Sequence, residues 1–237
     1  MRLAKSEQFK LLNIPNFYSS QLERLSKSLS SLSEVLPNFE TSKSNRMNKK
    51  VIIEKKGRVL DDFFKVEEVQ LKHEKFDGSM SKSMRRLNFE RGDSVAIVLW
   101  NTDKEAVLLT NQFRYPTYAK GEDGWILELI AGSVKPDEDL TLAMQREIEE
   151  EVGYDCQELE HIQTFFVSPG GTSERIHLFY GEVRNSQKNS EGGGLAQENE
   201  DIQLVEWNKT QITDSVKHGE VKDAKTLIGF MWFLQNK

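Results

Sequence analysis

The stretch Gly132–Tyr154, GSVKPDEDLTLAMQREIEEEVGY, sets four glutamates, Glu147, Glu149, Glu150 and Glu151, into five consecutive positions of a segment with helical periodicity. Leu140, Met144, Ile148 and Val152 recur at every fourth residue, an apolar row that can anchor a helix in a core. Asp137, Glu138 and Asp139 precede that row, where the positive end of the helix favours acids, and Gly153 supplies a C-terminal stop. On such a helix Glu147, Glu150 and Glu151 are spaced i, i+3, i+4 and project from one side. Left bare, they repel and raise one another's pKa. A hard divalent cation suits such a set, because Mg2+ takes oxygen ligands and shares its shell between carboxylates and substrate phosphates. A glutamate run taken alone is most often a solvated helix face, so the residues around it must decide.

Outward from this helix the chain alternates between strand and helix patterns. On the N-terminal side, VIIEKKGRVL, FFKVEEVQLKHEKF and SMRRLNFERG show partial period-two alternation broken by Gly57 and by Asp77–Ser79, the pattern of a small antiparallel sheet. SVAIVLW, a hairpin signal at NTDKE, AVLLTNQFR and GWILELIAG then read as strands leading into the acidic helix. Beyond it come IQTFFVSP, RIHLFYGEV, a polar loop from Asn185 to about Asp201, IQLVEW, and two helices near 210–218 and 223–235. Strands and helices mix without a regular βαβ repeat, so an α+β fold with its sheet covered by helices is expected.

The 237 residues suffice for one sizeable domain with an appendage. The net charge of -6 and the lack of a basic run exclude the electrostatic footprint of a nucleic-acid binder. Cys156, the single cysteine, cannot form an internal disulfide, which favours a reducing compartment such as the cytoplasm. No apolar run approaches the roughly 20 residues of a membrane span, and no secretory signal is evident at the N-terminus. Residues 1–46 differ from the rest: Leu22, Leu25, Leu29, Leu32 and Leu36 mark an amphipathic helix, followed by a polar linker. Met47 is an alternative natural start, and Glu7, Glu23 and Glu34 argue against an organelle-targeting peptide.

Gly132, Glu138, Arg146, Glu147, Ile148, Glu150, Glu151 and Gly153 together match the Nudix box: a glycine, five residues, a glutamate, seven residues, then Arg-Glu-aliphatic-x-Glu-Glu-x-Gly and an aliphatic. At about 7% chance for each of roughly seven fixed residues, a random window matches with probability on the order of 10^-8. The chain therefore resembles the Nudix hydrolases. Tyr154 departs from the final aliphatic position, a packing position where no catalytic consequence is expected. The resemblance implies a Nudix α/β/α sandwich with a mixed sheet plus a small N-terminal antiparallel β-sheet subdomain. It divides the chain into an extension over 1–46, a β subdomain over 47–92 that forms the dimer, and a hydrolase domain over 93–237.

RRLNFERGDSVAIVLW, TNQFRYPTY, WILELIAGSV, FFVSPGGTSERIHLFYGEV and GGLAQENEDIQL each resemble, in this order, segments of bacterial ADP-ribose pyrophosphatases and of the related GDP-mannose hydrolases. Pro169 falls at the marker-proline position of the ADP-ribose enzymes, whereas Gly192–Gly194 is closer to the GDP-mannose enzymes. The implied activity is Mg2+-dependent hydrolysis of ADP-ribose to AMP and ribose 5-phosphate, with Mn2+ as the alternative to Mg2+. GDP-mannose or another nucleoside diphosphate sugar is the alternative substrate, and a non-catalytic ADP-ribose-binding sensor a further one. By the same resemblance Glu147, Glu150, Glu151, Glu200 and the carbonyl of Ala131 hold metal. Glu198 handles the attacking water, Glu150 assists, and Arg146 orients the glutamates. Phe63, Arg86, Arg114 and Glu174 contact substrate. Glycines at 192 to 194 would let the Glu198 loop swing over it. Relatives of this type are homodimers that exchange their small N-terminal sheets. No nucleic acid or membrane partner is expected.

Overall fold

The period-two segments form two separate sheets. The structure, a computed structural model, describes residues 49–237, so the leucine-rich helix and linker of 1–46, and Met47, lie outside the described residues. Strands β1 (Val51–Asp61), β2 (Lys65–His73) and β3 (Met84–Glu90) make an antiparallel sheet in that order. β1 runs through Gly57 rather than breaking there, with irregular register between Ile53 and Lys55 and between Arg58 and Leu60. Phe63 and Phe64 sit in the turn between β1 and β2 instead of inside a strand.

The larger sheet contains β4 (Ser94–Asn101), β5 (Ala106–Phe113), β6 (Trp125–Ser133), β7 (Leu159–Phe166), β8 (Arg175–Val183) and β9 (Gln203–Asn208). Their spatial order is β7-β8-β4-β6-β5-β9. The β4–β8 pair is parallel and the other pairs are antiparallel, so the sheet is mixed. Its central strands are apolar on both faces, as a sheet covered on both sides requires. Val95, Ile97 and Leu99 of β4 join Met144, Ile148 and Val152 of the helix α2 (Leu140–Val152) in one core cluster. Ala96 and Val98 face the other way, toward Ile212 of α3 (Lys209–His218) and Phe230 and Phe233 of α4 (Ala224–Asn236). An α/β/α sandwich results. A short helix, α1 (Tyr115–Tyr118), follows β5, started by Pro116 in its first turn.

The acidic helix is held at both ends. Asp139 caps α2 by accepting from the backbone N–H groups of Thr141 and Leu142. Gly153 ends it at φ 74°, its N–H reaching the carbonyls of Ile148 and Glu149. Tyr154 is almost wholly buried and takes the place of the aliphatic residue because its hydroxyl finds a partner, Asn101 Nδ2 at 3.2 Å.

Candidate active site

The C-terminal half of β6 lies against α2, and this contact assembles the site. Gly132, opposite Val95 of β4, leaves room for the Glu147 side chain: a Cβ at that position would stand 1.9 Å from the Glu147 Cδ. One turn further along, Glu151 points to the same strand, and its Oε2 accepts from the backbone N–H of Ala131 at 3.3 Å. Glu147 is 9% and Glu151 4% exposed, burial that a lone carboxylate does not tolerate.

Electrostatics sharpen the point. Burial pushes the Glu147 carboxyl above the ordinary carboxylate range, and Glu150 and Glu200 add to it, while Arg146 pulls the other way. Burial first, then Glu147 and Glu200, push Glu151 well above that range, opposed by the Ala131 N–H and by Arg114. The four acids thus share one field.

Arg146 gathers the neighbouring groups into one frame. Its Nη1 donates to Glu147 Oε1 (2.7 Å) and Glu150 Oε2 (3.1 Å), its Nε to Glu138 Oε1 (3.0 Å), and its Nη2 to Glu138 Oε2 and the Ser133 carbonyl (both 3.2 Å). A planar fork with five donors is the side chain that can bind two carboxylates of α2, the loop acid Glu138 and β6 at once. Glu138 also accepts from the backbone N–H of Lys135, which fixes the loop before the helix.

The glycine-rich loop is tied to the same helix. Gly193 N–H donates to the Glu151 carbonyl (2.9 Å) and Gly194 N–H to the Glu150 carbonyl (3.0 Å), satisfying backbone acceptors near the end of α2. All three glycines have positive φ, and a Cβ on Gly192 would strike the Glu151 backbone. Gly192–Gly194 therefore fastens the loop to the helix, where free swinging was expected. Past it, Glu200 accepts from the Leu195 N–H at 2.9 Å, close enough that a Cβ on Gly194 would lie 2.6 Å from its Oε2. Glu198 ends the 3-10 turn Ala196–Glu198; its side chain lies outside the described residues.

Of the expected substrate residues, Glu174 and Arg114 lie closest to this frame. Glu174 is buried, accepts from Ser94 Oγ at 2.9 Å and stands 3.6 Å from Arg91 Nε. Ser94 is opposite Ser133 in the β4–β6 register, which links Glu174 to the strand that Arg146 grips. Arg114 donates through Nε and Nη2 to Glu128 Oε2 at 2.9 and 2.8 Å. Phe63, 88% exposed, and Arg86, whose Nη1 donates to the Arg85 carbonyl, lie on the small sheet. No described contact joins either to the carboxylates. Phe64 packs on Phe89 and carries the Arg91 guanidinium 5.7 Å above its ring. The end of β3 is fastened to the Ser168–Glu174 loop: Phe89 N–H donates to the Gly171 carbonyl, Thr172 Oγ1 to the Phe89 carbonyl, and Asn88 Nδ2 to Ser173 Oγ.

These residues fit a divalent cation. Glu147 and Glu200 both act on Glu151, and Glu200 on Glu147, an acidic field that a bound cation would relieve. Among the described residues no three carboxylate, imidazole or thiolate groups converge on one point, and Arg146 holds Glu147 Oε1 and Glu150 Oε2. An open-sided oxygen set of this kind suits a cation that keeps water and substrate phosphate oxygens in its shell.

The NUDIX domain model matches residues 90–225, more than half of the chain. The chain belongs to the Nudix family. Curated relatives named GDP-mannose pyrophosphatase cover 94% of their own length with 77% of this Nudix chain, at 33% identity in Salmonella arizonae and 32% in Escherichia coli K12. A solved structure described as an ADP compounds hydrolase superposes with a TM-score of 0.60 over 78% of this chain and 93% of its own, at 20% identity. That likeness shows the Nudix fold. The chain is a Nudix hydrolase, and among the described residues no helix is long and apolar enough to cross a membrane.

Sequence reasoning missed Glu128 and Lys225. Glu128 had a signal, as the lone charge in the apolar run WILELIAG, whereas Lys225 had none.

Proposed function

We propose that this protein is a Mg2+-dependent nucleoside diphosphate sugar pyrophosphatase that cleaves GDP-mannose to GMP and mannose 1-phosphate. The observation that carries the chemistry is the pair of buried carboxylates beside β6, Glu147 in the room that Gly132 leaves and Glu151 on the Ala131 N–H. The substrate rests on the relatives, which are GDP-mannose pyrophosphatases over nearly their whole length. ADP-ribose is the second reading, favoured by Pro169 and GGTSER. Retention of every box glutamate weighs against a non-catalytic sensor.

A bound Mg2+, with Mn2+ as a substitute, supplies charge neutralisation of the diphosphate and a more acidic attacking water. Glu147, Glu151, Glu150, Glu200 and the Ala131 carbonyl are the residues that would hold it. Arg146 keeps Glu147 and Glu150 in register with β6. Glu198 takes the proton of the water that attacks one phosphorus in line as the bridging P–O bond breaks. Arg114 binds phosphate and Glu174 the sugar end, while Phe63 and Arg86 reach substrate only in a dimer. Val51, Ile53, Val59 and Leu60 of β1 and Phe63 in the turn after it are exposed, apolar groups that a second copy exchanging its residues 47–92 would cover. A reducing cytoplasmic setting suits the buried free Cys156.

The test is a product assay with Mg2+ on GDP-mannose, ADP-ribose, ADP-glucose and NAD, beside Glu151→Gln. GMP release with the highest kcat/KM, lost in the variant, is the expected result. A higher kcat/KM on ADP-ribose transfers the assignment to the second reading. Binding of ADP-ribose without cleavage would sink the enzymatic assignment.

A further inference from the structure

Lys225, in the first turn of α4, is 8% exposed, an unusual place for an ammonium group. Its Nζ stands 2.8 Å from Glu128 Oε1 and 3.1 Å from Asp223 Oδ2, the residue that caps α4. Glu128, 6% exposed, gives its other oxygen to Arg114.

The strand arrangement explains how a residue behind the sheet reaches this carboxylate. β6 pairs with β5 from Trp125 to Leu129 and with β4 from Ile130 to Ser133. At the changeover the Leu129 N–H goes to Thr226 Oγ1 of α4 at 2.9 Å, so the start of α4 meets the sheet where β4 and β6 part. Glu128, Ile130 and Gly132 alternate along one face of β6, the face that carries Ile130 into the α2 cluster and Gly132 against Glu147. Glu128 thus turns toward the carboxylate side with Arg114 on it.

Arg114 is half-exposed, and its Nη1 makes no hydrogen bond or ion pair among the described residues. We propose that Lys225 is a positioning residue: it neutralises Glu128 from behind, so that Glu128 orients the Arg114 guanidinium without neutralising it, leaving Arg114 free to bind the diphosphate of the substrate. The proposal rests on the reading of the site as a nucleoside diphosphate sugar pyrophosphatase. If Lys225 is lost, Arg114 becomes the sole described cation paired with a buried carboxylate, and the ion pair it already makes through Nε and Nη2 takes up more of its charge. A phosphate then has to compete with Glu128 for the same donors.

The experiment is a double-mutant cycle on kcat and KM with GDP-mannose, or with whichever panel substrate the parent cleaves best. Lys225→Met should raise KM about tenfold and change kcat by less than about threefold, because ground-state anion binding is what weakens. Lys225→Arg, which keeps the charge, should restore most of the KM. In an Arg114→Ala background, Lys225→Met should add less than about twofold, because Lys225 acts only through Arg114. Additive effects on KM, or an unchanged KM in a folded Lys225→Met variant, would overturn the proposal. Thermal melting reports folding, and Glu128→Gln tests the same link if the methionine variant does not fold. A parent that cleaves nothing in the panel removes the functional reading and this proposal together, whereas additivity in an active parent removes the proposal alone.

Discussion

Gly132→Ala is the substitution on which the site geometry makes its most definite statement. A Cβ at 132 would lie 1.9 Å from the Glu147 Cδ and Oε1 and 2.3 Å from Oε2, where ordinary contact begins near 3.4 Å. The carboxylate must therefore retreat by about 1.5 Å, the difference between the 1.9 Å and 3.4 Å separations. Gly132 has no positive φ, so alanine meets no backbone strain, and the colliding atoms are the end of a flexible side chain. Stability should change little, by no more than a few degrees in Tm. Activity is another matter, since a misplacement of about 1 Å in a catalytic group costs on the order of 100-fold. A fall in kcat/KM of at least about 100-fold is expected, about 2.7 kcal/mol of transition-state stabilisation. Steady-state hydrolysis of GDP-mannose and ADP-ribose with Mg2+, beside circular dichroism melting, measures both quantities. Gly57→Ala, with nothing within 4 Å of the new methyl, is the control. Activity within threefold of the parent in a folded Gly132→Ala protein would show that the position of Glu147 is not what the chemistry needs.

Mg2+ should raise the parent's Tm through a gain of RT ln(1 + [Mg2+]/Kd) in stability, and Glu151→Gln should abolish that rise. Without metal the sign reverses. The Glu151 carboxyl is held above its unfolded value, so its contribution is present in full below the unfolded pKa and is lost as pH rises through the folded one. The glutamine variant should thus melt higher than the parent at pH 8 without metal, with the gain shrinking toward pH 5; equal melting at pH 8 would contradict this. Arg146→Lys keeps the charge but not the fork that holds Glu138, Glu147, Glu150 and the Ser133 carbonyl, and should lower kcat by about tenfold or more with the fold intact. Burial raises the Cys156 thiol to about 11, so native protein should resist alkylation at pH 8 and react once denatured; rapid native labelling would refute that environment.

Much of the site was legible because the box compresses a three-dimensional arrangement into local spacing. Glu147, Glu150 and Glu151 share a helix face by periodicity, and Gly132 precedes that helix at a distance the loop fixes. What periodicity could not give was contact across the chain. Glu174 reaches the frame only through Ser94 and the β4–β6 register, and Lys225 reaches Glu128 only because two strands part beside the start of α4. Phe63 and Phe64 misled because an aromatic pair beside alternating residues resembles a strand, whereas the chain needs them for the turn into β2. The glycine triplet misled for the opposite reason. Its composition suggests freedom, but its N–H groups close the end of α2.

That last difference bears on how the glycine-rich loop meets the acidic helix. Gly132 and Gly194 each face a carboxylate, of Glu147 and Glu200, and Gly192 faces the Glu151 backbone, all at distances no Cβ would permit. The glycines are required as absences of side chain, letting backbone from β6 and from the Gly192–Gly194 segment approach one helix from two sides. With 193 and 194 bonded to the helix and the Leu195 N–H given to Glu200, the turn Ala196–Glu198 starts from a fixed point.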